Sequence, residues 1–485
     1  MSNILTLSAI LAFFLIGVVL ILLQRRHKIW LRLLAAIVFV VVTRLALVHA
    51  FHLRLEMDGS GMLPLVRWGT KEAHFEELEK SRQEDVKVPE VAVAKAETPV
   101  EEAKPKTVNY WTDFRGPDRA GVYAEQPILA SWPLKQLWKR PIGGGYASFV
   151  VADGLAFTIE QRRANEAVVA YSLSTGREKW VHSYPASFQE AMGGDGPRAT
   201  PVWNEGLLYS QGATGELRVL DAATGKLKWS KNILQDNGAD NLQWGMANSP
   251  LIVDDKVIVT PGGKNGKSLV AYNRLTGADV WKVLDDKQSY TSPMLTTLNG
   301  KRQILAVTGS RAVGLDPATG GLLWEFPWKT EYDINSALPL IVDESHFYIS
   351  AGYGHGAALV EVSGSGAKAV WQNTKMKNKF NHAVLYNGFV YGFDESILAC
   401  IDVKTGDLKW KGGRYGYGQL LLAQGNLVVI TEQGELVLVK ATPEGHQELA
   451  KFQAIEGKTW NSPAIAGGIL LVRNTAEMAA FTTGK

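Results

Sequence analysis

Two hydrophobic patterns divide the chain. Positions 3–23 (NILTLSAILAFFLIGVVLILL) are apolar and carry no charge. A second apolar run, Ile29 to Phe51, holds Arg32 near one end and Arg44 near the other. About 20 helical residues cross a hydrocarbon core of about 30 Å, and an Arg close to a run's end can reach the interface. The cluster Arg25-Arg26-His27-Lys28 separates the runs. Basic loops stay cytoplasmic, so the pattern predicts two transmembrane helices, 3–23 and 29–51, as a hairpin with both ends outside the cytoplasm. A cleaved leader needs a basic start, a shorter apolar core and a small-residue cleavage site, and this sequence shows none of that arrangement. Two buried core helices are the other reading of the runs.

Residues 52–108 form a juxtamembrane segment and linker. KEAHFEELEKSR (71–82) reads as a short helix, and from about Gln83 to Val108 the sequence, including VPEVAVAKAETPVEEAKPK, lacks aromatic anchors. Such a composition predicts an extended tether. The bulk of the protein is 109–485.

There the pattern becomes period-two alternation in short runs, such as GLLYSQ, KVIVTP, HFYISA, FVYGFD and LVVITE, broken by Gly, Asn and Asp. Each run reads as a strand. One phrase recurs: AYSLSTGREKW ends at Trp180, VLDAATGKLKW at Trp229, AYNRLTGADVW at Trp281, GLDPATGGLLW at Trp324 and CIDVKTGDLKW at Trp410. Weaker copies end at Trp371 and Phe452, and the spacings are 49, 52, 43, 47, 39 and 42 residues. Four strands per unit at this period predict propeller blades. Thr-Gly supplies the turn between third and fourth strands, and the aromatic ring wedges between blades. The chain stops in mid-phrase at Phe481-Thr-Thr-Gly-Lys485, while the missing part, Lys135-Gln-Leu-Trp138, precedes the first complete unit. The N-terminal strand is therefore expected to complete the last blade, closing an all-β, eight-bladed β-propeller. An open stack of solenoid repeats does not account for the split unit.

Composition narrows the function. At 485 residues, 46% hydrophobic and 20% charged, the chain is neither one small domain nor disordered. Five of its 51 basic residues lie before position 50 with no acid there, leaving 46 against 48 acids in the body. A near-neutral body argues against nucleic acid as a partner. A lone Cys400 makes neither an internal disulfide nor a cysteine zinc site.

The phrase LDAATGKLKW resembles the signature of the pyrroloquinoline-quinone (PQQ) repeat superfamily of eight-bladed propellers, over roughly 110–485. That superfamily includes quinoprotein alcohol dehydrogenases and the propeller lipoprotein of the outer-membrane barrel-assembly machine. WTDFRGPDRAGV (111–122), GDGPRATP (194–201) and MKNKF (376–380) are similar to a bacterial group of anchored or exported PQQ-like propellers. The resemblance specifies fold more than function. The dehydrogenases carry a disulfide of adjacent cysteines and an Asp/Glu/Asn calcium set, neither of which maps onto this sequence. The lipoprotein needs a lipidated N-terminal cysteine, where this chain has apolar runs.

In a propeller the loops entering each innermost strand share one face. Here they bring Arg198, Asn248, Thr291, Asn335, Asn381, His382, Gln419 and Asn461 to one opening, with aromatic rims at Tyr146, Trp244, Tyr417 and Trp460. Such a ring could hold a polar planar ligand or an anion, and PQQ with calcium is the cofactor the resemblance implies. The same Asn and Ser residues also serve as turn caps. Glu190 and Asp195 offer carboxylates, or ion pairs, in the loop before Arg198; Arg162, Arg163, Lys264, Arg311 and Arg414 add a mild positive bias. His355 lacks a second His at metal spacing, and PGGKNGKS (261–268) joins two strands, so neither is taken as a ligand or phosphate site; no metal ligands are assigned.

Two functions follow. The first is a binding or scaffold module anchored in a bacterial inner membrane, displayed in the periplasm and engaging an envelope protein or a small polar ligand. The second is a PQQ-dependent oxidoreductase of alcohols or sugars. A plugged or acid-poor channel would count against the second.

Overall fold

In a computed structural model, the structure describes residues 3–24, 26–57, 64–67, 69–87, 110–128, 132–364 and 366–484. The tether expected over 83–108 lies outside these from residue 88 on, and its first residues are helical. The chain divides into two compact units.

The N-terminal unit begins with α1 (Asn3–Leu22) and α2 (Ile29–Leu45), which continues as a π turn through Ala50. Phe39 of α2 packs on Phe13 and Phe14 of α1, with centroids 5.9 and 6.3 Å apart. Gly17 permits this, since a Cβ there would lie 2.3 Å from the Phe39 ring. Ile29–Ala50 is long and apolar enough to cross a membrane; Thr6–Leu22 is a shorter apolar helix. A two-stranded hairpin (Arg54–Met57 with Pro64–Arg67) and α3 (Lys71–Lys87) follow. The helix read over 71–82 is thus present and runs five residues longer.

The second unit is a propeller of eight antiparallel blades. Its strands are a to d from the axis outward. Blade 1 spans 150–185, blade 2 202–232, blade 3 251–283, blade 4 294–327, blade 5 340–373, blade 6 384–414 and blade 7 419–453. Blade 8 takes strands a to c from 464–482 and strand d from Gln136–Pro141, with Trp138 opposite Ala480. The ring closes as the split phrase required. Inner strands are buried on both faces and outer strands alternate, so the b-strand runs GLLYSQ, KVIVTP and HFYISA, read as alternating, in fact bury both faces.

The recurring phrase is a joint between blades. Asp221 accepts from the backbone N–H and hydroxyl of Thr224, shaping the turn from c to d. Each indole N–H then donates to a carbonyl near the corresponding turn of the next blade: Trp138 to Leu173, Trp180 to Ala222, Trp229 to Arg274, Trp371 to Val403 and Trp410 to Thr442. Trp324 differs and donates to Gln303 in its own blade. Its neighbour is blade 5, whose phrase is the degenerate EVSGSGAKAVW.

The segment that resembled a bacterial signature fills the channel. Trp111 bridges to Val151 of blade 1, and the Thr112 carbonyl accepts from Trp203 of blade 2. The Arg115 guanidinium donates to the Ala383 and Leu420 carbonyls at the start of blades 6 and 7, each at 2.9 Å. Arg119 donates to Pro250 and Pro293 at the start of blades 3 and 4 and pairs with Asp113 at 2.8 Å. Val122–Tyr123 returns beside strand a of blade 7 as a fifth, parallel strand. Both arginines are buried, 1% and 2% exposed. Residues 110–123 therefore form a plug entering from the face of the Thr-Gly turns.

Candidate functional site

Strand a of every blade starts on the face opposite the Thr-Gly turns, and the b–c turns share that entry face. The loops entering strand a place all eight candidate residues around its mouth, within five residues of a strand start. All but the half-buried Arg198 are buried.

Most of their polar groups link neighbouring blades, while those of Asn381 and Thr291 bond within their own loops. Asn248 accepts from Gln211 at 2.8 Å and donates to Ser289 at 3.1 Å. Asn335 donates to Thr308, and Asn461 to Gly145 and Ala147. Gln419 donates to Phe380 and accepts from Ser462. Asn381 accepts from the Lys379 N–H, and Thr291 donates its own N–H to Ser289. His382 accepts at Nδ1 from Leu338, and its ring lies edge-on to Phe114 of the plug at 5.1 Å. Burial, with Arg115 nearby, holds that imidazole well below its usual pKa, so it is neutral. Thr291 Oγ1, Asn335 Oδ1, Asn381 Nδ2 and Asn461 Oδ1 are buried without a hydrogen-bond partner.

The hydroxyls of the recurring Ser/Thr-Pro entries do related work; the sequence offered the serines as turn caps, and the structure has them accept from the neighbouring entry. Ser148 N–H donates to Thr200 Oγ1, Thr200 N–H to Ser249 Oγ and Ser249 N–H to Ser292 Oγ, at 2.8 to 3.1 Å. A hydroxyl two residues before each of these strands was the available signal.

Above the ring is a rim of aromatic side chains. Of the four expected, Tyr146 and Trp460 pack together at 5.5 Å, Trp244 packs on Tyr290 at 5.9 Å, and Tyr417 packs on Phe380 at 5.1 Å. Phe380, which the sequence reading did not single out, also reaches Trp460 at 4.5 Å. Lys379 lies 4.6 Å above the Tyr417 ring and Lys458 4.2 Å above Trp460. Arg198 lies over Phe188 and Tyr146. Glu432 fixes two of the rings, accepting from Trp460 Nε1 at 2.8 Å and the Tyr417 N–H at 3.3 Å. Burial pulls the Lys379 ammonium below its usual pKa, opposed by Glu395 and Glu432.

The remaining candidates are committed locally. Glu190 accepts from the Met192 and Gly193 N–H groups. Arg162 pairs with Glu160 and Glu178, and Arg311 with Asp286 and Glu325, so the expected positive bias is largely neutralised there. His355 packs edge-on to Trp328 at 4.4 Å. Residues 261–268 join two strands of blade 3, as read. Cys400 is buried in blade 6, its thiol pushed up to about 12 by burial. Among the described residues no three His, Cys, Asp or Glu side chains converge as a metal would need.

The propeller has known counterparts. A family model described as outer membrane protein assembly factor BamB matches residues 164–412. Outer membrane protein assembly factor BamB of Burkholderia pseudomallei is 22% identical over 360 residues, covering 60% of this chain and 89% of that protein. Quinohemoprotein alcohol dehydrogenase ADH-IIG of Pseudomonas putida is 23% identical over 228 residues, 42% of this chain, and the match spans only 30% of the dehydrogenase. Among solved structures, BamB from Moraxella catarrhalis aligns with a TM-score of 0.53 at 17% identity, covering 72% of this chain and 99% of that one. The P. putida ADHIIG structure also gives 0.53, at 13% identity, covering 78% of this chain and 80% of that one. Identities this low establish the shared fold alone.

Proposed function

This chain belongs to the family described as outer membrane protein assembly factor BamB, and from that premise we propose that it is a membrane-anchored recognition or scaffold propeller of the bacterial envelope. The apolar helices hold it in the inner membrane, and the propeller faces the periplasm. Its partner is an envelope protein or ligand bound on the propeller surface.

The plug carries this reading. Residues 110–123 run through the channel, with the Arg115 and Arg119 guanidiniums on carbonyls at the starts of four blades. The space beside the strand starts is thus taken up by the chain itself. A PQQ–calcium pair would need converging oxygen donors, including carboxylates. Asp113, the plug's buried acid, is paired with Arg119, and the mouth ring offers amides, a hydroxyl, an imidazole and a guanidinium. The residues present do not fit that pair, and no redox step is derived from them. The ring from Arg198 to Asn461 is assigned instead to holding the mouth in shape, with four of its buried polar atoms unpartnered.

Calorimetric titration of the full chain in detergent with PQQ, with and without calcium, tests this reading. We expect no saturable heat. Calcium-dependent binding together with dye-linked oxidation of alcohols would overturn it in favour of the quinoprotein oxidoreductase.

A further inference from the structure

Four rings from four entry loops make one continuous strip on the entry face, in the order Tyr146, Trp460, Phe380, Tyr417, with successive centroids 5.5, 4.5 and 5.1 Å apart. Phe380 and Trp460 belong to the entries of blades 6 and 8, so the strip passes over the entry of blade 7 between them. Cations lie along it. Lys458 sits 5.6 Å over Tyr146 and 4.2 Å over Trp460, and Lys379 sits 4.8 Å over Tyr353 and 4.6 Å over Tyr417.

We propose that this strip docks an extended acidic segment of a partner polypeptide, its carboxylates on Lys379 and Lys458 and its aromatic side chains on the rings between them. The proposal rests on the recognition reading above and specifies where and what the propeller recognises.

Charge complementarity selects the occupant. Neither lysine forms a direct ion pair among the described residues, and Lys379 Nζ donates to the Tyr417 hydroxyl at 3.4 Å. Glu432 is hydrogen-bonded to Trp460 and Tyr417 and so orients the rings. Glu395 reaches the Tyr417 hydroxyl at 3.5 Å. Entry loops of blades 3 to 5 lean to the opposite sign, with Asp236, Asp240, Asp285, Asp286, Glu331 and Asp333 against Lys287 and Lys329, although Asp236, Asp286 and Asp333 are ion-paired with Lys231, Arg311 and Lys287. An acidic chain is therefore directed toward the arc of blades 6 to 8 and repelled from the other side. Ammonium groups over ring faces are already attracted to the rings, and a partner's carboxylate adds a direct ion pair, where Glu395 and Glu432 act on Lys379 only from further off. The rings pack on one another, which leaves no slot for a flat cofactor between them and favours a chain lying across them. Rigid aromatic anchors flanked by cations are the usual composition of an interface centre.

The test uses the full-length protein in detergent and a fluorescent random copolymer of glutamate and tyrosine, with a lysine–tyrosine copolymer and polyglutamate as comparators. Anisotropy should show saturable binding of the glutamate–tyrosine copolymer, weaker binding of polyglutamate and none of the lysine copolymer. The interaction should weaken with salt. Lys379→Met/Lys458→Met keeps the stems over the rings and should reduce affinity at least about tenfold, a change of about 1.4 kcal/mol. Lys264→Met, in a turn of blade 3 on the same face, should leave it unchanged. Equal binding of both copolymers, or an unaffected double variant with unchanged melting, overturns the proposal. Displacement of the copolymer by PQQ, lost in the same double variant, overturns it in favour of a small-ligand site. If neither PQQ nor copolymer binds, this docking site falls while the recognition reading survives; calcium-dependent PQQ binding with alcohol oxidation removes both.

Discussion

The indole of Trp180 in blade 1 lies against Gly225 of blade 2 so closely that a Cβ on the glycine would sit 2.5 Å from the ring. Trp180 Nε1 donates to the Ala222 carbonyl in the same turn at 3.0 Å, and Gly225 holds φ +71°. The repeated Thr-Gly and Trp are therefore two halves of one contact, and they recur at Gly176 with Trp138, Gly277 with Trp229 and Gly406 with Trp371.

Gly225→Ala should cost about 2–4 kcal/mol, combining left-handed backbone strain with overpacking against the indole. Gly206 is the control: its φ is +78°, but nothing lies within 4 Å of a Cβ there. Gly206→Ala should cost only about 1 kcal/mol. Urea unfolding with unchanged m-values measures both. Equal losses at the two sites would show that backbone strain, not the inter-blade contact, selects the glycine.

This joint explains what the sequence made legible. Turn chemistry is local, so Asp221, Thr224, Gly225 and Trp229 announce themselves within nine positions, and the split phrase announces ring closure. The plug was unreadable as a plug. Its arginines bind the carbonyls of Ala383, Leu420, Pro250 and Pro293, all at least 131 positions away, and carbonyls carry no sequence signature. The mouth residues were placed by topology, but their partners were not. Lys379 and Phe380 were noticed only within MKNKF (376–380), for its resemblance and not as part of the mouth, and Lys458 was passed over; the basic run KMKNKF beside an aromatic was the available signal.

Arg115 should be the least replaceable plug residue. Its guanidinium meets two carbonyls at 2.9 Å, has no acidic partner within hydrogen-bond reach, and is pulled down to about 9 by burial. Arg115→Met keeps the bulk but leaves those carbonyls without donors, an expected loss of about 2–4 kcal/mol. Arg115→Lys should recover only part, since one ammonium cannot reproduce the fork. Thermal unfolding of the full chain gives the ranking, and a neutral Arg115→Met would mean that the plug does not support the ring.

Burial, not pairing distance, should decide which ion pair matters. Glu160 is fully buried, bonded to Arg162 Nε at 2.6 Å and the Tyr171 hydroxyl at 2.9 Å. Burial pushes its carboxyl up, yet Arg162 and other nearby cations bring it below the usual value. Glu160→Ala strands buried cations and should cost about 3–5 kcal/mol. Arg302 and Asp254 form an equally regular bidentate pair at 2.9 Å, but both side chains are about half exposed (48% and 54%). Asp254→Asn should change stability by less than about 1 kcal/mol. Comparable losses in denaturant melts would contradict the assignment.

Asp113 should give the plug a pH dependence. Its carboxyl is buried beside Arg119, and burial outweighs the guanidinium, raising it from 3.8 to about 6. The folded state therefore holds a proton between pH about 6 and 3.8 that the unfolded chain has released. This group adds stability as pH falls through 6 and withdraws it as pH rises, by at most about 3 kcal/mol for a shift of about two units. Asp113→Asn mimics the protonated form at every pH. Its stability relative to the parent should improve between pH 4 and pH 7, on top of a constant offset from the altered bond to Arg119. Both proteins share every other titrating group, so their difference isolates this carboxyl. Curves that stay parallel across that window would show that Arg119 keeps Asp113 charged in the fold, and that the plug is indifferent to acid.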